Sequence, residues 1–169
     1  MKRLIVFLSF IAGSVTLLDA GGQSLESRLK QLFPGATSFS PKEGDPPHFT
    51  AYTGSKTVAG YAFWTTELVP LERGYSGPIA MLVGLDTSGK ITGVIMGEHH
   101  EPYGDFSIDP PKFAATFRNK DVRDPFKLGE DIDAVSRATI TMSSAVRAIR
   151  NSARRMARQY LTAPQSPSK

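Results

Sequence analysis

The chain has 169 residues, no cysteine and a net charge of +4 at neutral pH. Lacking cysteine, it can form no disulfide, thiolate metal site or cysteine-ligated iron–sulfur cluster, so any redox chemistry must come from a bound cofactor. The charge excess is mild and gives no ground for expecting a nucleic-acid partner.

Residues 1–20 read as an export signal. Lys2 and Arg3 form its basic start, Leu4 to Leu18 is an apolar run of 15 residues, and Ala20 precedes the expected cut. The run is shorter than the roughly 20 residues that span a bilayer comfortably. Leu18 is bulkier than the small residue preferred three positions before a cut, so an anchor in the inner membrane formed by residues 4–18 stands as the alternative to cleavage, which is favoured. Both outcomes place the folded domain in the periplasm or another extracytoplasmic space. Loss of Lys2, Arg3 and Asp19 lowers the net charge from +4 to +3. Beyond the signal, residues 21–161 read as one domain, long enough to bury its own core, and 162–169 as a polar, proline-containing mobile tail.

Within that domain, Ser24 to Phe33 is a predicted first helix with Ser24 as its cap and Leu25, Leu29 and Leu32 on one face; Pro34-Gly35 ends it. Phe39 to Pro47 is a Pro-, Gly- and Ser-rich connection. Two hairpins are then expected: 49–53 with 57–66 around Gly54-Ser55-Lys56, and 79–86 with 90–98 around Thr87-Ser88-Gly89. In the second hairpin Met81, Val83 and Leu85 alternate with Leu82 and Gly84, so both faces are apolar and the strand reads as central and covered. Pro70 to Pro78 is a rigid loop. Pro110-Pro111 opens a predicted helix through Asn119, with Phe113 and Phe117 on its apolar face. The last helix is expected from Met142 to Leu161. Val146, Ile149, Ala153, Met156, Ala157 and Tyr160 make its apolar stripe, and Arg147, Arg150, Arg154 and Arg158 an exposed, solvated one. The predicted fold class is α+β: an antiparallel sheet of hairpins packed against helices, with a long C-terminal amphipathic helix.

Just before that last helix lies Asp133-Ala134-Val135-Ser136-Arg137-Ala138-Thr139-Ile140-Thr141. Helix starts have unpaired N–H groups and partial positive charge, so they hold phosphates readily. Ser136, Thr139 and Thr141 add hydroxyl donors and points of covalent attachment. The ordinary role of such residues is to cap the helix, and spacing alone favours that role.

Asp133-x-x-Ser136-x-Ala138-Thr139 resembles the flavinylation motif of the FMN-binding domain family, found in subunits of the sodium-pumping NADH:quinone reductase, the Rnf electron-transport complex and NosR-type regulators of nitrous oxide respiration. In that family a flavin transferase joins the FMN phosphate to the motif's final threonine, which corresponds to Thr139. Gly74-Tyr75-Ser76-Gly77-Pro78-Ile79, Leu82-Val83-Gly84-Leu85-Asp86 and Gly89-Lys90-Ile91-Thr92-Gly93 resemble the family's loop and hairpin, and His99-His100-Glu101-Pro102 its histidine-containing segment. The similarity runs in order from about residue 58 to 158. It implies FMN as cofactor, with Asp133, Ser136, Arg137, Ala138, Thr139, Ile140 and Thr141 around the phosphate. Glu101, Pro102 and Gly104 fall where related domains carry a Glu-Thr-Pro-Gly-type loop against the ring, of which only the Glu and the Gly are retained, and His99 is expected to pack near the flavin by hydrogen bonding.

The chain departs from the pattern at Arg137, where the family usually has glycine, a residue that permits unusual backbone angles or close approach to a ligand. Arginine there either obstructs flavin or pairs with the phosphate or with reduced flavin. Asp133 either positions the attachment threonine or favours the helix start through its dipole. His99 and His100, adjacent at a strand end, would point apart and form a poor metal pair; no metal site is expected. There is no Gly-x-Ser-x-Gly elbow and no Gly-x-Gly-x-x-Gly opening a helix, so hydrolase chemistry and direct NADH oxidation lack support. The resemblance implies an electron carrier with covalent flavin, working between membrane-associated electron-transport proteins without independent substrate turnover. A flavin-dependent regulatory module and a cofactor-free scaffold are the alternatives.

Overall fold

Alternating apolar residues build a five-stranded antiparallel sheet in the computed structural model, which describes residues 24–68 and 70–161. The expected export signal and the tail lie outside the described residues. The strands follow chain order as a meander: β1 (Ser38–Phe39), β2 (Phe49–Thr53), β3 (Thr57–Trp64), β4 (Met81–Asp86) and β5 (Ile91–Met96). Both expected hairpins form, with strands slightly shorter than their apolar runs.

Helix α1 (Leu25–Leu32) covers one face of the sheet. Ser24 caps it by accepting the Ser27 N–H at 3.2 Å, and Glu26 stands in its first turn, where the dipole favours an anion. Leu29, Leu32 and Phe33 pack there with Phe49, Ala51, Ala62 and Leu82. The approach is close because Gly84 has no side chain: a Cβ there would stand 3.2 Å from Leu32 Cβ and 2.2 Å from Thr92 Oγ1.

The opposite face carries α4 (Thr139–Tyr160), preceded in the chain by the short helices α2 (Gly104–Ser107) and α3 (Pro111–Ala115). Met81, Val83 and Leu85 of β4 point into this larger core, against Met142, Ala145, Val146, Ile149, Ala153 and Met156 of α4 and the rings of Phe113, Phe117 and Phe126. Each of the valine, leucine, isoleucine, methionine and phenylalanine side chains among them contributes about 1.5–3 kcal/mol when fully buried. Since neighbouring Leu82 serves the other core, β4 is the covered, internal strand its composition predicts.

Three local expectations change. α3 ends at Ala115, short of Asn119, because the backbone at 119–120 pairs with β5: Asn119 N–H donates to Ile91 O and Ile91 N–H to Lys120 O, both at 2.8 Å. α4 begins at Thr139, three residues before Met142, bringing the motif's last residues into its first turn. The arginine stripe is also more structural than a solvated face. Arg154 donates to the carbonyls of Val122 at 2.8 Å and Asp124 at 2.7 Å, and Arg147 pairs with Glu72 at 3.1 Å. No helix among the described residues is long and apolar enough to cross a membrane.

Candidate cofactor site

Helix α4 starts without the devices that finish α1. Its N-cap is Ala138, no side chain caps that end, and its first turn contains no acid. The hydroxyls expected as caps are otherwise placed. Thr141 is buried and donates to the Glu101 carboxylate, whereas Thr139 is exposed with no hydrogen-bond partner for its hydroxyl among the described residues. Ser136, Arg137 and Ile140 are exposed around it, and Ala138 is buried.

Glu101 organises this end of the molecule. Its carboxylate accepts the N–H groups of Tyr75 at 2.9 Å and Ser76 at 2.8 Å as well as the Thr141 hydroxyl, joining the 74–77 loop to the first turn of α4. Gly74 is required beside it, since a Cβ there would lie 2.4 Å from Glu101 Oε1. Burial favours the neutral acid, but the hydrogen bonds from Thr141, Ser76, Tyr75 and Gly77 outweigh it and hold the carboxyl below its ordinary range. The carboxylate is therefore turned inward and engaged with the protein's own donors.

The rest of that segment divides likewise. Pro102 is exposed, whereas Gly104 is buried, with His99 so close that a Cβ would meet the imidazole at 2.3 Å. His99 Nε2 donates to Asp109 at 2.7 Å, and its Nδ1 accepts the Glu101 N–H at 3.3 Å; this fixes the tautomer and leaves neither nitrogen free. His100 is exposed. The pair lies beyond the end of β5 at Met96, and no cluster among the described residues has the carboxylates and imidazoles to hold a metal ion.

Asp133 lies at 2.9 Å from Lys112, whose hydrogen bond and positive charge lower its titration range. This pair flanks a cleft of about 240 Å³ between α3 and the motif, lined by Phe106, Pro110, Phe113, Val135 and Met142. Among the described residues, four of the five large apolar side chains most open to solvent belong to the segments meeting at Glu101: Tyr75, Tyr103, Phe106 and Ile140. Tyr103 and Phe106 pack together with ring centroids 5.7 Å apart. Tyr75 and Ser76 lie in a family-like stretch that by itself assigns them no role, and no motif marks Tyr103 or Phe106. An aromatic residue between glycines, and two more beside a short turn, are the signals the sequence offers.

An uncapped helix start next to exposed aromatic surface has the chemistry that suits an anionic cofactor with a planar apolar body. Residues 74–154, just under half of the chain, match the model of the FMN-binding domain. Its cofactor is FMN, and the residues present fit it: an uncapped helix start with a free hydroxyl for the phosphate, and apolar side chains nearby for the ring. The chain is similar to the G-type subunit of the ion-translocating oxidoreductase complex of Haemophilus influenzae, with 49% identity over 47 residues in strain KW20 and 47% over 47 residues in strain PittEE. Those matches cover 28% of this chain and only 21% of each relative. Its fold is also similar to the crystal structure of Shewanella oneidensis NqrC, at a TM-score of 0.49 and 20% identity over 79% of this chain and 73% of that one.

Proposed function

We propose that the protein is an extracytoplasmic electron carrier whose FMN is joined through a phosphoester to Thr139. The observation that carries this reading is the unspent hydroxyl of Thr139 at an uncapped, solvent-facing helix start within the family-matching segment. The basic and apolar pattern of residues 1–20 supports export.

Attachment is a substitution at phosphorus. With an FMN phosphoanhydride such as a flavin dinucleotide as donor, Thr139 Oγ forms the new O–P bond, the bond to the nucleoside monophosphate breaks, and the hydroxyl proton passes to a base of the flavin transferase. The exposure of Thr139 supports access by that enzyme, while the first-turn amides and Ser136 are placed to hold the phosphate. Bound FMN supplies reversible electron acceptance and release. The chain's part is to hold the phosphate, to shield one side of the ring with Tyr75, Pro102, Tyr103, Phe106 and Ile140, and to keep those segments in register through Glu101. Membrane-associated electron-transport proteins are the partners this reading supplies, by analogy with the complex named for its relatives.

The test is export-competent expression beside a flavin transferase, followed by intact-mass measurement and fluorescence of the denatured protein. Wild type should gain the mass of one FMN less water and stay fluorescent after denaturation, while Thr139→Ala should do neither. Undiminished covalent flavin in Thr139→Ala would overturn the attachment point.

A further inference from the structure

Arg137 occupies a backbone position that arginine rarely takes. The Ala138 N–H donates to Val135 O at 3.4 Å, closing a four-residue turn, and Arg137 stands third in it with φ at 70°. Type II turns require positive φ at that position and usually contain glycine. The conformation projects a long cationic side chain into solvent directly before the N-cap of α4.

No counter-charge meets it. Among the described residues no hydrogen bond or ion pair engages the Arg137 guanidinium. Two acids near the helix start are committed elsewhere: Asp133 to Lys112 at 2.9 Å, and Glu101 to Thr141 and the amides of Tyr75 and Ser76. The helix dipole adds positive charge of its own, and the first turn has no acid to offset it. A permanently charged planar group therefore stands unpaired two residues from the attachment hydroxyl, in a region short of anions.

Resting on the phosphate site proposed above, we infer that Arg137 selects the phosphorylated flavin: its guanidinium closes on the FMN phosphate from the solvent side while the helix start holds it from below. A forked, charge-assisted contact suits phosphate oxygens and has no counterpart in riboflavin. The phosphodiester formed on Thr139 still carries one negative charge, so the contact persists after attachment. The departure from glycine then adds a specificity element.

The test uses full-length protein made without a transferase and titrated with FMN and with riboflavin, following flavin fluorescence. Wild type should prefer FMN. Arg137→Gln keeps the backbone demand but removes the charge, and should weaken FMN binding about 10-fold to 100-fold while leaving riboflavin unchanged. Arg137→Gly should show the same selective loss in a protein that folds at least as well, which separates ligand recognition from folding. Added salt should narrow the wild-type preference more than that of Arg137→Gln. Wild type that prefers FMN alongside variants that prefer it equally overturns the role of Arg137 alone. Wild type with equal affinity for the two flavins overturns the phosphate site as well.

Discussion

The starts of α1 and α4 solve the same physical problem in opposite ways. α1 completes itself locally, with the Ser24 oxygen on the Ser27 N–H and Glu26 in the first turn. α4 has Ala138 at its cap, no acid in its first turn, and a threonine hydroxyl donating away from the helix to Glu101. α1 only has to cover a sheet, so its end is finished by its own sequence. α4 is held in place from outside and keeps its end open to solvent, which is what a phosphate requires.

Breaking the external tie should have the largest effect. Glu101→Ala leaves the Tyr75 and Ser76 amides and the Thr141 hydroxyl without their acceptor, and should cost about 3 kcal/mol by denaturant unfolding. Because the folded carboxyl titrates below its ordinary value of 4.5, its contribution is complete above that pH and declines as pH falls through the lower folded value. Glu101→Gln should lose this component, so its stability should fall less than wild type's on acidification. Parallel pH profiles for the two proteins would count against the tie. Ser24→Ala tests the other helix: about 1 kcal/mol of stability should go, with FMN binding unchanged.

Much of this contrast is legible without coordinates. Ser24 ahead of Leu25, Leu29 and Leu32 is a local signal, and local signals survive folding, so α1 and its cap fall within a residue of expectation. Apolar residues on both faces of β4 likewise announce an internal strand. The motif around Thr139 is readable through its resemblance to a known domain. Hidden are the features that depend on pairing across the chain: the Glu101–Thr141 contact joins residues far apart in sequence, and it decides that Thr141 turns inward while Thr139 stays free. The early end of α3 has the same cause, since pairing of residues 119–120 with β5 overrides a helical pattern. Arg154, expected in a solvated stripe, binds backbone carbonyls that only the fold brings within reach.

The strained residue ahead of α4 offers a smaller perturbation of opposite sign. A non-glycine residue at φ 70° costs about 1–2 kcal/mol, while glycine adds about 0.5–1 kcal/mol of unfolded-state entropy. Arg137→Gly should therefore stabilise the apo protein by about 0.5–1 kcal/mol, visible as a rise in Tm. A fall would mean that Arg137 makes contacts in the fold beyond its turn.

The smallest expected effect sharpens the comparison most directly. Thr139→Asp gives α4 the kind of first-turn acid that α1 already has in Glu26. At so exposed a position a carboxylate should stabilise the helix by about 0.5 kcal/mol through the dipole, and less as salt is raised. The same charge occupies the place proposed for the phosphate and removes the attachment hydroxyl, so FMN uptake should fail both with and without a transferase. Thr139→Ala, by contrast, should leave stability nearly unchanged and still bind FMN reversibly. A Thr139→Asp protein that is more stable yet binds FMN like Thr139→Ala would place the phosphate away from the start of α4, while equal stability of all three proteins would mean that this end of the helix is already satisfied without a ligand.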